Sequence, residues 1–163
     1  MNILNKIVSR VSSITAIALL AGCTTPQMVV EPIPAQTPIS EICILVNPKV
    51  IDPEFLNLVQ EGMSRHGLRS TLYRDVPNSC IYVLEYVAFY TWVGKPNINT
   101  RILNRAIIKL YQDKKVIGTV SYVLPNEPQF GGGEDPARFK STKEKLDPLI
   151  DELFKYFPSK KRY

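Results

Sequence analysis

The chain has 163 residues, 20 of them basic and 15 acidic, for a formal charge of +5. A nucleic-acid binder usually shows a concentrated basic face with interleaved aromatics. Here the excess is small, and the tail Lys160-Lys161-Arg162 supplies much of it, so no nucleic-acid partner is expected.

Residues Met1 to Ala21 have the three parts of a secretory signal: Lys6 and Arg10 at the start, an apolar or small run from Val11, and small residues before the cut. The run is about half the ~20 residues needed to span a bilayer. Leu20-Ala21-Gly22-Cys23 at its end resembles the lipobox of bacterial lipoproteins. That resemblance implies cleavage after Gly22, a diacylglycerol on the Cys23 sulfur and acylation of the new amino terminus. Two or more acyl chains give stable anchoring where one binds only reversibly. Thr24 stands where inner-membrane lipoproteins often carry Asp, which favours the outer membrane, periplasmic face. No cofactor beyond this covalent lipid is expected.

Assigning Cys23 to lipid leaves Cys43 and Cys80. In an oxidising periplasm they can pair, and closing a loop of this length would stabilise the fold by about 3.8 kcal/mol before strain. Two buried free thiols are the other reading.

Removing residues 1–22 lowers the charge to +3 and leaves residues 23–39, where Pro26, Pro32, Pro34 and Pro38 predict an extended tether of up to about 50 Å. A single domain is expected over residues 40–158, followed by a basic tail at 159–163. Ile42 to Val46 reads as a short buried strand. Asp52-Pro53-Glu54 supplies an N-cap, a first-turn proline and a first-turn acid. Phe55, Leu56, Val59 and Met63 then recur on one helical face, and His66-Gly67 ends the helix. Leu68 to Arg74 predicts a strand parallel to the first, joined by a right-handed crossover.

Cys80 to Val93 is the longest extended stretch, apolar on both sides, as a central strand should be. Arg101 to Tyr111 and Val116 to Leu124 read as a hairpin around Gln112-Asp113-Lys114-Lys115. Pro125 to Lys140 is a long loop holding Gly131, Gly132 and Gly133. Ser141 with Glu144 fits a capping box, opening a helix striped by Leu146, Leu149, Ile150, Leu153, Phe154 and Phe157. Pro148 should kink that helix, or restart it with Asp147 as cap. The predicted fold is α+β in the order β-α-β-β-β-β-α. It is a mixed, mostly antiparallel sheet with two helices on one face.

Ile42-Cys43-Ile44 with Asn47-Pro48-Lys49-Val50, His66-Gly67, Leu110-Tyr111-Gln112-Asp113 with Ile117-Gly118, and Ser141 to Pro148 together form a pattern. It resembles a family of small, largely uncharacterised proteobacterial lipoproteins. No activity comes with that resemblance. The element order is also similar to periplasmic lipoproteins serving envelope machines, such as the lipopolysaccharide-assembly lipoprotein and auxiliary lipoproteins of transporters, a likeness of fold alone.

Candidate chemistry is sparse. His66 is the one histidine, placed where a helix dipole favours it, with no nucleophile or orienting acid indicated and too few ligands for a metal. Gly131 to Gly133 lacks the Gly-Lys-Ser/Thr ending of a phosphate loop and runs into Glu134-Asp135. It reads as a flexible loop, and as loops on rigid scaffolds often carry function, contact with a partner stays open. Asp147, Asp151 and Glu152 read as a solvated helix face, with Asp151 and Lys155 as an i,i+4 pair. With both helices on one face, either Tyr82, Tyr86, Tyr90 and Trp92, or Phe89 and its neighbours, would be left partly exposed. An apolar patch of that kind marks an interface, unless the row is an aromatic core strand. The expected function is a non-enzymatic accessory or interaction domain for an envelope protein or a second copy of itself. The alternative is a module binding a small apolar or glycan ligand on the aromatic row.

Overall fold

The computed structural model describes residues 26–95, 98–124 and 136–157, with side chains for 26–92, 101–124 and 138–157. Six strands and two helices follow in the order β1 (Gln27–Glu31), β2 (Glu41–Leu45), α1 (Pro53–Arg65), β3 (Arg69–Tyr73), β4 (Tyr82–Lys95), β5 (Ile98–Gln112), β6 (Lys115–Val123) and α2 (Thr142–Leu153). The strands form one mixed sheet, β1-β6-β5-β4-β2-β3, in which β2 runs parallel to β3 and β4 and the other pairs are antiparallel. The α+β class and the predicted element order are those observed, with one strand added in front.

The helices begin where their caps dictate. Asp52 accepts from the Glu54 amide at 3.0 Å, Pro53 occupies the first turn, and α1 stops at Gly67, whose φ of 72° suits glycine. Ser141 and Glu144 close a reciprocal capping box on α2. Pro148 neither kinks nor restarts α2, which runs through it. Leu146, Leu149, Ile150 and Leu153 are all buried on that helix, and their packing outweighs the hydrogen bond that proline removes. Asp147 therefore does not cap; Arg65 and Lys143 hold its carboxylate. The β5–β6 turn puts Asp113 and Lys114 at φ 48° and 70°, the left-handed geometry of a two-residue hairpin.

Both helices cover one face of the sheet and touch each other at Gly62. A Cβ there would collide with the Ile150 side chain. Beneath them lie Phe55, Val59 and Met63 of α1, Leu146, Ile150 and Leu153 of α2, and the inward residues Ile42, Ile44, Leu84, Tyr86, Ile108, Leu110, Val120 and Tyr122.

The expected tether is shorter than the prolines suggested. Gln27–Glu31 pairs with β6 from Val123 to Thr119, Ile33 is fully buried, and its amide donates to the Leu153 carbonyl at 3.1 Å. The packed domain therefore starts near residue 27 rather than 40. Proline is tolerated beside an edge strand, and Pro32 and Pro34 lie just after β1, outside its ladder. Gly118 makes room for this docking, since a Cβ on it would lie 2.7 Å from Ile33 and 3.0 Å from Leu153.

β4 and β5 outrun the sheet. β6 ends at Val123, opposite Arg105, which pairs with Phe89. Beyond that rung the two strands continue, with no further strand beside them among the described residues, to Lys95 and Ile98, past a bulge at which Asn104 is the extra residue. Buried polar groups fix this hairpin at its base. Arg101 pairs with the buried Asp52 at 2.5 Å and lies over the Tyr90 ring, 4.6 Å from its centre. Burial and then Asp52 push the Tyr90 hydroxyl well above its ordinary pKa. On the other side Lys145, 4% exposed, donates to the Leu103 carbonyl at 3.3 Å and the Arg138 carbonyl at 2.7 Å. Burial, helped by the Arg138 charge, lowers its pKa from 10.5 to about 8.

Two outcomes follow from this packing. Gly118→Val should cost about 1–3 kcal/mol through overpacking. A lower melting temperature, with faster hydrogen exchange at the Ile33 amide than across β4, would register it. The folded state holds the Lys145 proton less tightly than the unfolded chain, which therefore carries more protons above pH 8. Stability should rise there, by up to about 1.4 kcal/mol per pH unit, until the lysine of the unfolded chain itself loses its proton near pH 10.5. Denaturant titrations of the wild type and of Lys145→Met across that window test this. A rise of equal slope in the variant would assign it to another group.

Candidate interaction surfaces

Period-two alternation decides what the sheet presents to solvent. On β4, Tyr82, Leu84, Tyr86 and Ala88 face the helices and are buried. Val83, Glu85, Val87 and Phe89 face the other way, as do their register partners Tyr111, Lys109, Ile107 and Arg105 on β5. Among the described residues no element lies over this outer face. It is apolar along Val83, Val87 and Ile107 and ends at Phe89, which is 54% exposed. Glu85 sits opposite Lys109 in the middle. Burial first, then Glu85, raises the Tyr111 pKa above its ordinary value.

The aromatic row named from the sequence divides accordingly. Tyr82 and Tyr86 are core residues and not an interaction face. Tyr86 stacks on Phe55 at 5.6 Å, and its carbonyl and hydroxyl both accept from Asn47. Tyr90 is half-buried under Arg101. Only Trp92 projects, 66% exposed. With apolar side chains on both sides of the strand, periodicity could not say which side met the helices. The signal that could have was on the partner strand, where Ala106, Ile108 and Leu110 alternate with Arg105, Lys109 and Tyr111.

Cys43 and Cys80 are disulfide-bonded, with Cα atoms 6.3 Å apart across 37 positions. Cys43 shares a rung with outward-facing Val83, so the bridge lies at the outer face and ties β2 to the loop before β4. Beside it opens a cleft of about 510 Å³ between Val76, Pro77, Ile81, Tyr111, Asp113 and Lys114, with Glu85 and Cys80 on its wall.

The remaining candidates are structural in their contacts. His66 is buried at the end of α1, its ring nitrogens 3.3 Å from the Phe157 carbonyl and 3.1 Å from Asp151. Arg65 reaches Asp147 at 3.2 Å and Asp151 at 2.9 Å, so Asp147 and Asp151 bind α2 to α1. Lys155 pairs at 2.7 Å with Glu152, one turn earlier, and not with Asp151, which Arg65 and His66 already engage. Among the described residues no group of three or more His, Cys, Asp or Glu side chains is placed to hold a metal, and no helix is long and apolar enough to cross a membrane. Cys23, Gly131, Gly132, Gly133 and the basic tail lie outside the described residues.

No protein-family model matches the chain, and no curated protein matches it in sequence. Its fold has solved counterparts. The PelC dodecamer of Paraburkholderia phytofirmans superposes with a TM-score of 0.51 at 8% identity, over 84% of this chain and 100% of that one. A variant of the same PelC gives 0.49 at 10% identity, over 77% and 98%. A minor lipoprotein of Acinetobacter baumannii gives 0.35 at 9% identity, over 71% and 90%. At these identities what the chain shares with PelC is the fold.

Proposed function

We propose that this chain is a lipid-anchored, non-enzymatic interaction domain, held through Cys23 at a bacterial outer membrane and facing the periplasm. Its partner, an envelope protein or a second copy of the chain, meets the outer sheet face. The observation that carries this reading is the asymmetry of the sheet. One face is buried under two helices, while the other leaves Val83, Val87, Ile107 and Phe89 without a covering layer among the described residues. Apolar patches of this kind on a folded domain mark contact surfaces. The anchor rests on Leu20-Ala21-Gly22-Cys23 after its short apolar run, and the outer-membrane assignment on Thr24. Self-association has added support, because PelC, whose fold this chain shares, is a dodecamer.

A ligand-binding module is the second reading. Burial of Tyr82 and Tyr86 removes the aromatic row as its site. The cleft beside the disulfide offers mixed apolar and charged walls for a small molecule instead.

Photo-crosslinking from positions 87 and 107 in intact membranes tests the choice. Protein adducts, either with a second copy or with one reproducible envelope protein, are expected, and a Val87→Asp substitution that keeps the native circular dichroism should abolish them. Adducts to lipid or glycan alone would favour the ligand reading.

A further inference from the structure

We infer that the end of the sheet carrying the β4–β5 hairpin is a bilayer-contact surface, with Trp92 seated among the lipid headgroups. The inference rests on the Cys23 anchor proposed above and adds an orientation to it. The chain enters the domain at Gln27, opposite Val123. Only Thr24, Thr25 and Pro26 separate Gln27 from Cys23. Four residue steps span at most about 14 Å, so an acylated Cys23 holds the entry of β1 within that distance of the membrane. The rung through Gln27, Val123, Arg105 and Phe89 crosses the sheet at this same end. From it the hairpin runs three residues to Trp92, about 10 Å, and six to Lys95, about 20 Å. The anchor's reach therefore extends past Trp92 and stops short of the hairpin tip.

What this end exposes fits a lipid surface. Ten large apolar side chains are exposed among the described residues. Of these, Met28 and Phe89 lie beside or on the end rung, Trp92 on the hairpin, and Ile51 and Phe139 next to residues that hold the hairpin base. Ile51 adjoins Asp52, the partner of Arg101 on the Trp92 rung. Phe139 follows Arg138, whose carbonyl shares Lys145 with Leu103 of the hairpin base. Lys49, Arg105 and Lys140 are exposed around them, with Glu54 and, beside Lys140, Glu144 as the opposing charges. Tryptophan favours the headgroup layer, where its ring is buried and its N–H stays wet, and lysine and arginine are drawn to anionic lipid. The ion pair of Arg101 with Asp52 and the hydrogen bonds of Lys145 hold the hairpin base so that its tip points this way.

Trp92 is the chain's one tryptophan, so the wild-type protein reports on itself. The full lipidated chain is reconstituted in vesicles of phosphatidylethanolamine and phosphatidylglycerol, with or without acyl chains brominated near the headgroup. The unlipidated Cys23→Ser form in buffer is the reference. Flotation and the mass of the amino-terminal peptide read the anchor separately. The expected result is a blue-shifted emission, at least twofold quenching by brominated lipid, and protection from acrylamide. A lipidated protein that floats but keeps the reference emission and acrylamide quenching overturns the orientation and leaves the anchor standing. An unmodified Cys23 peptide overturns both, since the distance count starts from that residue.

Discussion

β4 and β5 pair along almost their whole length, fourteen residues against fifteen, and the other elements are arranged by what this ladder presents. A strand has two faces and, among the described residues, only one of these is covered, because α1 and α2 pack against each other at Gly62 and Ile150 as well as on the sheet. Two helices in mutual contact share a side. The inward rows are consequently closed with few polar exceptions, and the outward rows keep a mixture of valine, isoleucine, glutamate, lysine and arginine. The length of the pair has a second consequence. Neither β6 nor β2 is long enough to flank it throughout, so among the described residues its far end continues as a two-stranded ribbon. A ribbon of that kind is marginal by itself. The Asp52–Arg101 pair, the arginine over Tyr90 and the Lys145 hydrogen bonds lie at its base, where they hold it in place.

The helices were legible in the sequence because their signals are local. Asp52, Pro53 and Gly67 each act within a few residues of themselves, and the Ser141–Glu144 box is complete in four. The β5–β6 turn was legible for the same reason. Other features depended on contacts far along the chain. β1 was hidden under its prolines, since nothing near Gln27–Glu31 says that β6 has a free edge to pair with or that Gly118 leaves space for Ile33. Pro148 read as a break because its cost is local while the compensating burial of Leu146, Leu149 and Ile150 is tertiary. The choice between Tyr82–Tyr86 and Phe89 as the exposed side belonged to the same class. The disulfide was legible as the favoured of two readings, since the cysteine count left Cys43 and Cys80 to pair, while the parallel placement of β2 beside β4 that brings them together was not.

Function was less legible than fold. The residues with chemical potential, His66, Asp147 and Asp151, are spent on joining the two helices. Charge pairing at this seam is partly exposed, and isolated pairs of that kind contribute little. The network's role is better seen in geometry: it fixes the C-terminal end of α1 against the middle of α2, and so fixes the distance between the helix starts that grip the hairpin base.

The shortened tether changes how the outer face should be understood. A chain free to swing on fifty ångströms of linker could offer any surface to any neighbour. With β1 docked on β6, the proposed anchor leaves three residues of slack, and the domain has few orientations open to it. The hairpin end then meets the bilayer, and the strands of the sheet stand away from it. In that pose the outer face is neither buried in lipid nor turned outward at random; it stands upright beside the membrane, where copies anchored in the same leaflet would approach one another side on. Anchoring in a plane restricts both position and rotation before any contact forms, which lowers the ordering cost that association must overcome. A modest apolar strip such as Val83, Val87 and Ile107, weak as a binding site for a freely diffusing protein, is better suited to partners already held in that plane.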